Sequence, residues 1–106
     1  MSVIYRKGAY YPGTTQNQTT TSTSAISAAF GTSTSIIRIA VQNDTYVKPT
    51  ASTGTTATTS HMIIPGGGVE FLAVDSGTYL AHKYVSSSGW ISITELAETT
   101  QEQSGQ

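Results

Sequence analysis

Large apolar side chains occur along the chain in short alternating runs, separated by stretches of Ser, Thr, Gly and Pro. The clearest run is residues 35–42, SIIRIAVQ. At a two-residue period Ile37, Ile39 and Val41 share one face, with Ile36, Arg38, Ala40 and Gln42 on the other. Its β-branched residues have restricted rotamers that suit a pleated surface, so a strand is predicted. Similar patterns predict strands over residues 25–30, 45–48, 61–64, 69–74, 78–85 and 90–96. In residues 78–85, Tyr79, Ala81, Lys83 and Val85 alternate with Leu80, His82 and Tyr84.

The punctuation between these runs is turn chemistry. Gly31-Thr32-Ser33-Thr34, Asn43-Asp44, Asp75-Ser76-Gly77 and Ser86-Ser87-Ser88-Gly89 each interrupt the pattern where a chain reversal is needed. Pro49 ends the 45–48 strand or confines it to a sheet edge, because proline has no amide donor for a ladder. Pro65 and the three glycines after it read as a permissive bend with little intrinsic order. Many short strands with frequent turns argue for an all-β fold, a small antiparallel β-sandwich or jelly-roll-like body over residues 25–96.

The ends of the chain break this pattern. Residues 14–24, TTQNQTTTSTS, form a polar low-complexity tract and read as a linker or extended loop. With residues 1–13 it gives an extended N-terminal arm over residues 1–24, carrying Tyr5, Tyr10 and Tyr11. That arm either reaches a neighbouring chain or folds back on its own body. Residues 97–106 read as a polar tail.

Composition narrows the role. The protein has 106 residues, no cysteine and 10% charged residues, with a net charge of -1. One domain is expected, small enough to leave a large fraction of its surface exposed, with no disulfide framework and no thiolate chemistry. Oligomerisation is then the remaining common way to bury more apolar area. Arg6 and Lys7 form the only adjacent basic pair, so no phosphate-gripping face is expected and nucleic acid is not a predicted partner. The start shows no signal-peptide pattern, and no apolar run approaches the ~20 residues of a membrane helix, so no membrane association is expected.

Candidate chemistry is sparse. Ser60, His61 and Asp75 supply the residue types of a hydrolase triad, but no G-x-S-x-G elbow accompanies them, and His61 reads as a polar residue at a strand start. His82 is expected as a partly exposed strand residue, alternatively at an interface. Glu70 and Glu95 provide carboxylates without a cleft to place them in, and no spacing of His, Asp and Glu matches a metal-ligand pattern. The Pro-Gly-Gly-Gly segment leads into a strand and lacks the helix and lysine of a phosphate loop. No catalytic residue, metal or cofactor is therefore predicted, and a non-enzymatic role is expected. The aromatic residues Tyr5, Tyr10, Tyr11, Tyr79, Tyr84 and Trp90 are the candidate interface set, since each buries an apolar ring while keeping a polar handle. Tyr79, Tyr84 and Trp90 around one groove would instead suit stacking against sugars.

The segment AISAAFG, followed by SIIRIAVQNDTYVKPTASTGTTATTSHMIIPGGGVEFLAVDSGTYLAHKYVSSSGWISITEL, resembles small β-sheet structural proteins of tailed bacteriophages. It covers most of residues 25–96, and its features specify strands and turns, with no functional-residue motif. The resemblance implies a virion component: a capsid decoration or cement protein on the outer capsid surface, binding the major capsid protein and self-associating as a dimer or trimer. A neck, tail or fibre-associated module, including a carbohydrate-binding one, is the alternative it leaves open.

Overall fold

The computed structural model describes residues 10–98 as eight β-strands: β1 (Tyr10–Thr19), β2 (Ala25–Ile26), β3 (Ile36–Val41), β4 (Thr45–Thr50), β5 (Met62–Ile64), β6 (Val69–Ala73), β7 (Tyr79–Tyr84) and β8 (Trp90–Glu98). They form two four-stranded sheets, ordered β1-β8-β3-β6 and β2-β7-β4-β5, in which every pairing is antiparallel. Four of the pairings join β1 to β8, β2 to β7, β3 to β6 and β4 to β5. This is a long antiparallel ribbon rolled into two layers, the jelly-roll arrangement of an all-β sandwich.

The alternation in residues 35–42 explains the core. Ile37, Ile39 and Val41 of β3 are fully buried, and the register sets Ile39 opposite Ile93 and Val41 opposite Ile91. From the second sheet Val47, Ile64 and Leu80 join the same buried cluster, closed at one end by Phe30 and Val74. Side chains of Ile36, Arg38 and Ala40 alternate to the outer face, as the period of two requires. Pro49 stands inside β4 opposite Leu80, beyond the three positions where β5 pairs with β4, so its missing donor faces an unpaired edge.

The expected element boundaries need correction at three places. The body begins at Tyr10, not near residue 25: residues 10–19, expected as arm and linker, form an edge strand along the whole of β8 from Thr19↔Trp90 to Tyr10↔Glu98. The pattern hides this strand because its inward positions are Gln16 and Gln18, which make hydrogen bonds in place of apolar contact: Gln18 to buried His82 and Gln16 to exposed Ala28. Second, the strand expected over residues 25–30 is only Ala25–Ile26, after which Ser27 and Phe30 anchor the chain through Ser27 N to Leu80 O (2.9 Å) and Phe30 N to Thr78 O (2.8 Å). Third, β8 continues to Glu98, past the expected boundary at residue 96. The expected arm residues 1–9, including Tyr5, and the tail beyond residue 98 lie outside the described residues.

The glycine run after Pro65 is a tight turn and not a loose bend. Gly68 N donates to Pro65 O at 2.8 Å, and Gly67 takes φ 78°, the left-handed conformation a type II turn needs at that position. A side chain at Gly66 would meet the Cα of Asn43 at 2.9 Å, so this glycine is set by close packing against the β3–β4 turn.

Candidate interaction surface

The register assigns the outer face of the first sheet row by row. Trp90 lies beside Thr19; Val69, Ala40, Ser92 and Asn17 form the next row; Phe71, Arg38, Thr94 and Thr15 the third; Ala73, Ile36, Leu96 and Pro12 the fourth. Three large apolar side chains on this face are open to solvent: Trp90 is 48% exposed, Phe71 52% and Val69 40%. The Tyr10 ring folds over the same face and stacks on Phe71, with centroids 6.0 Å apart and planes inclined by 29°. Thr15 and Thr94 hydroxyls bond across it at 2.9 Å. Arg38 is its only charged side chain in these four rows. An aromatic and weakly charged sheet face has the composition of an interface centre.

The candidate aromatics are not gathered in one place. Tyr10 and Trp90 share the outer face of the first sheet, at opposite ends of it. Tyr11 is 56% exposed and pairs with Ala97 where β1 and β8 run past the body. Tyr79 and Tyr84 belong to the second sheet, paired with Thr50 and Thr45, and both are half-buried. No groove lined by Tyr79, Tyr84 and Trp90 forms. Phe71 and Val69 were missed as surface residues because β6 reads as an apolar core strand; only its place at the sheet edge leaves them uncovered. Met62 and Ile63 of β5, at the edge of the second sheet, are also exposed, but as consecutive strand residues they face opposite sides.

The polar residues singled out by sequence are held in structural roles. His61 Nδ1 accepts from Thr58 N at 3.0 Å while His61 N donates to Thr58 O at 3.0 Å, closing a local turn. Among the described residues no hydrogen bond joins His61 to Ser60 or Asp75. Glu95 Oε1 accepts from Gly31 N at 3.0 Å and from the Thr34 hydroxyl, tying the β2–β3 loop to β8. Glu70 is an exposed residue of the β6 edge. Asp44 Oδ1 accepts from Gly66 N at 2.7 Å, and Asn43 Nδ2 donates to Ser88 O at 2.8 Å, so three loops interlock at the opposite end. Among the described residues no three of His, Cys, Asp or Glu converge as a metal-binding group. A shallow cleft of about 250 Å³ between Pro49, Thr50, Val74 and Thr78 holds one carboxylate, Asp75.

His82 departs from expectation. It is fully buried, not partly exposed, because it follows Leu80 on the inward face of β7, a strand flanked by β2 and β4. Nε2 lies 2.6 Å from Gln18 Oε1, a bond that crosses from one sheet to the other. With the amide oxygen accepting, Nε2 carries the proton, and Nδ1 is left buried without a partner. Burial lowers the imidazole pKa from its ordinary 6.5. The unfolded chain therefore binds a proton that the folded protein refuses, and stability is expected to fall as pH drops below 6.5 toward the depressed folded value. Urea titrations between pH ~7.5 and ~5 avoid most carboxylate titration. Their midpoints should decline for the native chain and decline less for His82→Gln; equal slopes would overturn the buried, neutral state.

No helix among the described residues is long and apolar enough to cross a membrane. Comparison with protein-family models, with curated proteins and with solved structures returned no match.

Proposed function

We propose that the protein is a non-enzymatic structural component that docks the outer face of its first sheet onto a protein lattice. In its specific form, it decorates and stabilises the outer surface of a bacteriophage capsid, contacting capsid subunits and neighbouring copies. The observation that carries the docking role is the coincidence of Trp90, Phe71 and Val69, all solvent-exposed, on one sheet face with a single cation, Arg38. The complementary partner has an apolar centre and a carboxylate opposite Arg38. The virion setting is supported by the resemblance of residues 25–96 to phage structural proteins. Fold analogy also supports it, since jelly rolls build many viral shells.

Cross-linking of assembled particles that carry the chain, read by mass spectrometry, should join β6 and β8 to shell subunits spread over the capsid. Truncating aromatic anchors at an interface centre commonly costs ~2 kcal/mol or more. Phe71→Ser and Trp90→Ser should each weaken attachment by about 30-fold. Full shell occupancy by both variants would sink the docking role.

The second reading, a neck, tail or fibre module that binds carbohydrate, is favoured by the exposed Trp90 ring, a surface on which a sugar can stack. Cross-links confined to one vertex or to a fibre, with glycan binding lost in Trp90→Ser, would replace the capsid role with this one.

A further inference from the structure

Strand β1 is the longest in the fold at 10 residues, and it carries no charge. No charged residue occurs anywhere from Gly8 through Ile37. It is also an edge: among the described residues only β8 pairs with it. Open edges are usually blunted by charge, proline or a bulge. Here Pro12 and a register shift between Pro12 and Thr15 disturb the beginning of the strand, leaving residues 15–19 regular, with neither charge nor proline.

The hydrogen-bonding sense of that edge follows from its neighbours. Thr20 N donates to Gly89 O at 2.8 Å, while Trp90 O accepts from Gln42 N on the other side of β8. Antiparallel ladders alternate between partner and opposite side. Gln16 and Gln18 therefore bond toward β8, and the N–H and C=O groups of Thr15, Asn17 and Thr19 point out of the sheet edge. The side chains of these three residues are exposed on its outer face.

The sequence of this edge selects its occupant. Residues 14–20 read Thr-Thr-Gln-Asn-Gln-Thr-Thr, a palindrome centred on Asn17. An antiparallel partner is read in reverse, so a second copy of this strand presents the same residues in the same order. We infer that two copies of the chain pair through β1, antiparallel about a two-fold axis at Asn17. Asn17 then faces Asn17 of the second copy, Thr15 faces Thr19, and Gln16 faces Gln18. The outward amides and carbonyls of residues 15, 17 and 19 make about six backbone hydrogen bonds across the axis. Thr–Thr and Asn–Asn pairs meet on the exposed face, and no like charges oppose each other. The contact is isologous, as a closed two-fold dimer requires. The first sheets of both copies become one continuous sheet, with their docking faces on the same side. This deepens the assembly role proposed above by naming the contact between copies, but it stands on the strand edge and not on the docking face.

The test uses the full chain with no shell present, so a failure of the docking role does not affect it. Sedimentation velocity over a concentration series should show a reversible dimer. Asn17→Lys sets two ammonium groups against each other at the axis and should weaken the dimer by about tenfold or more while leaving the β-sheet circular dichroism spectrum unchanged. The native chain has no cysteine, so engineered ones report the register. A hydrogen-bonded antiparallel pair holds its Cα atoms ~5.5 Å apart, within disulfide range. Asn17→Cys should cross-link to itself under mild oxidation. Thr15→Cys should not, because the two cysteines would stand four residues apart, roughly 13 Å. A mixture of Thr15→Cys and Thr19→Cys chains should form the mixed disulfide. A monomer at every concentration, a dimer indifferent to Asn17→Lys, or self-linking of Thr15→Cys as fast as Asn17→Cys would each overturn the pairing.

Discussion

Deleting residues 1–24 is expected to unfold the protein, whereas a chain retaining Tyr10 onward keeps every described strand pairing. The deletion removes β1 and leaves β8 with one neighbour, β3. It also removes Gln18, among the described residues the one hydrogen-bond partner of the buried His82 ring, so the imidazole loses the bond to Nε2 as well as lacking one at Nδ1. Each orphaned buried polar group costs about 1–3 kcal/mol. Gln16 goes too, and with it the paired bonds to Ala28 N (2.8 Å) and Ala28 O (3.1 Å) that steady the entry to the β2–β3 loop. Against a total stability of roughly 5–15 kcal/mol for a small domain, these losses and the missing ladder are enough to remove the cooperative transition. Circular dichroism and thermal melting of the two truncations check this. A folded 25–106 fragment with a sharp melt would mean that β1 is an accessory to the sandwich and not part of it.

The second large effect is expected at the centre of the first sheet. Ile93 is fully buried, faces Ile39 on β3, and sits opposite Gln16 on β1. Truncating such a side chain removes its transfer energy and leaves a cavity the surrounding strands cannot close, for about 2–5 kcal/mol. Ile93→Ala should therefore lower the urea midpoint by a large fraction of its native value, while the denaturant slope stays unchanged if unfolding remains two-state. Thr53→Ala, an exposed position between β4 and β5, serves as the comparison and should fall within ~0.5 kcal/mol of the native chain. A midpoint for Ile93→Ala close to that comparison would contradict the packing of β8 in the core.

The two halves of the sandwich were unequally legible in the sequence. Strand β3 announces itself because its alternating isoleucines pack against apolar neighbours, and a period of two survives even when strand order is unknown. Strand β1 does not, since Gln16 and Gln18 face the interior and their partners, Ala28 and His82, are distant in sequence. His82 reads as partly exposed for a related reason: the partner that satisfies its buried ring, Gln18, lies on a strand the pattern conceals. The Pro-Gly-Gly-Gly run shows a turn in sequence, but the reason for glycine at position 66 is the approach of Asn43 from another turn. Among the aromatics, Trp90 could be marked as a surface candidate at once. Phe71 could not, because exposure at an edge strand is decided by what lies beside it.

The pairing of β1 with β8 joins nearly the first described residues to the last, Tyr10 to Glu98. Among the described strands, only β4 and β5 are both consecutive in sequence and paired in the sheets. Such topology leaves few local contacts to reward early ordering, and chains dominated by distant pairings fold in milliseconds to seconds. During synthesis the interior pairs can form first, but β1 must wait, uncharged and unpaired, until β8 has left the ribosome. The strand that completes the sheet last is thus the one most open to capture by another copy while the chain is still being made.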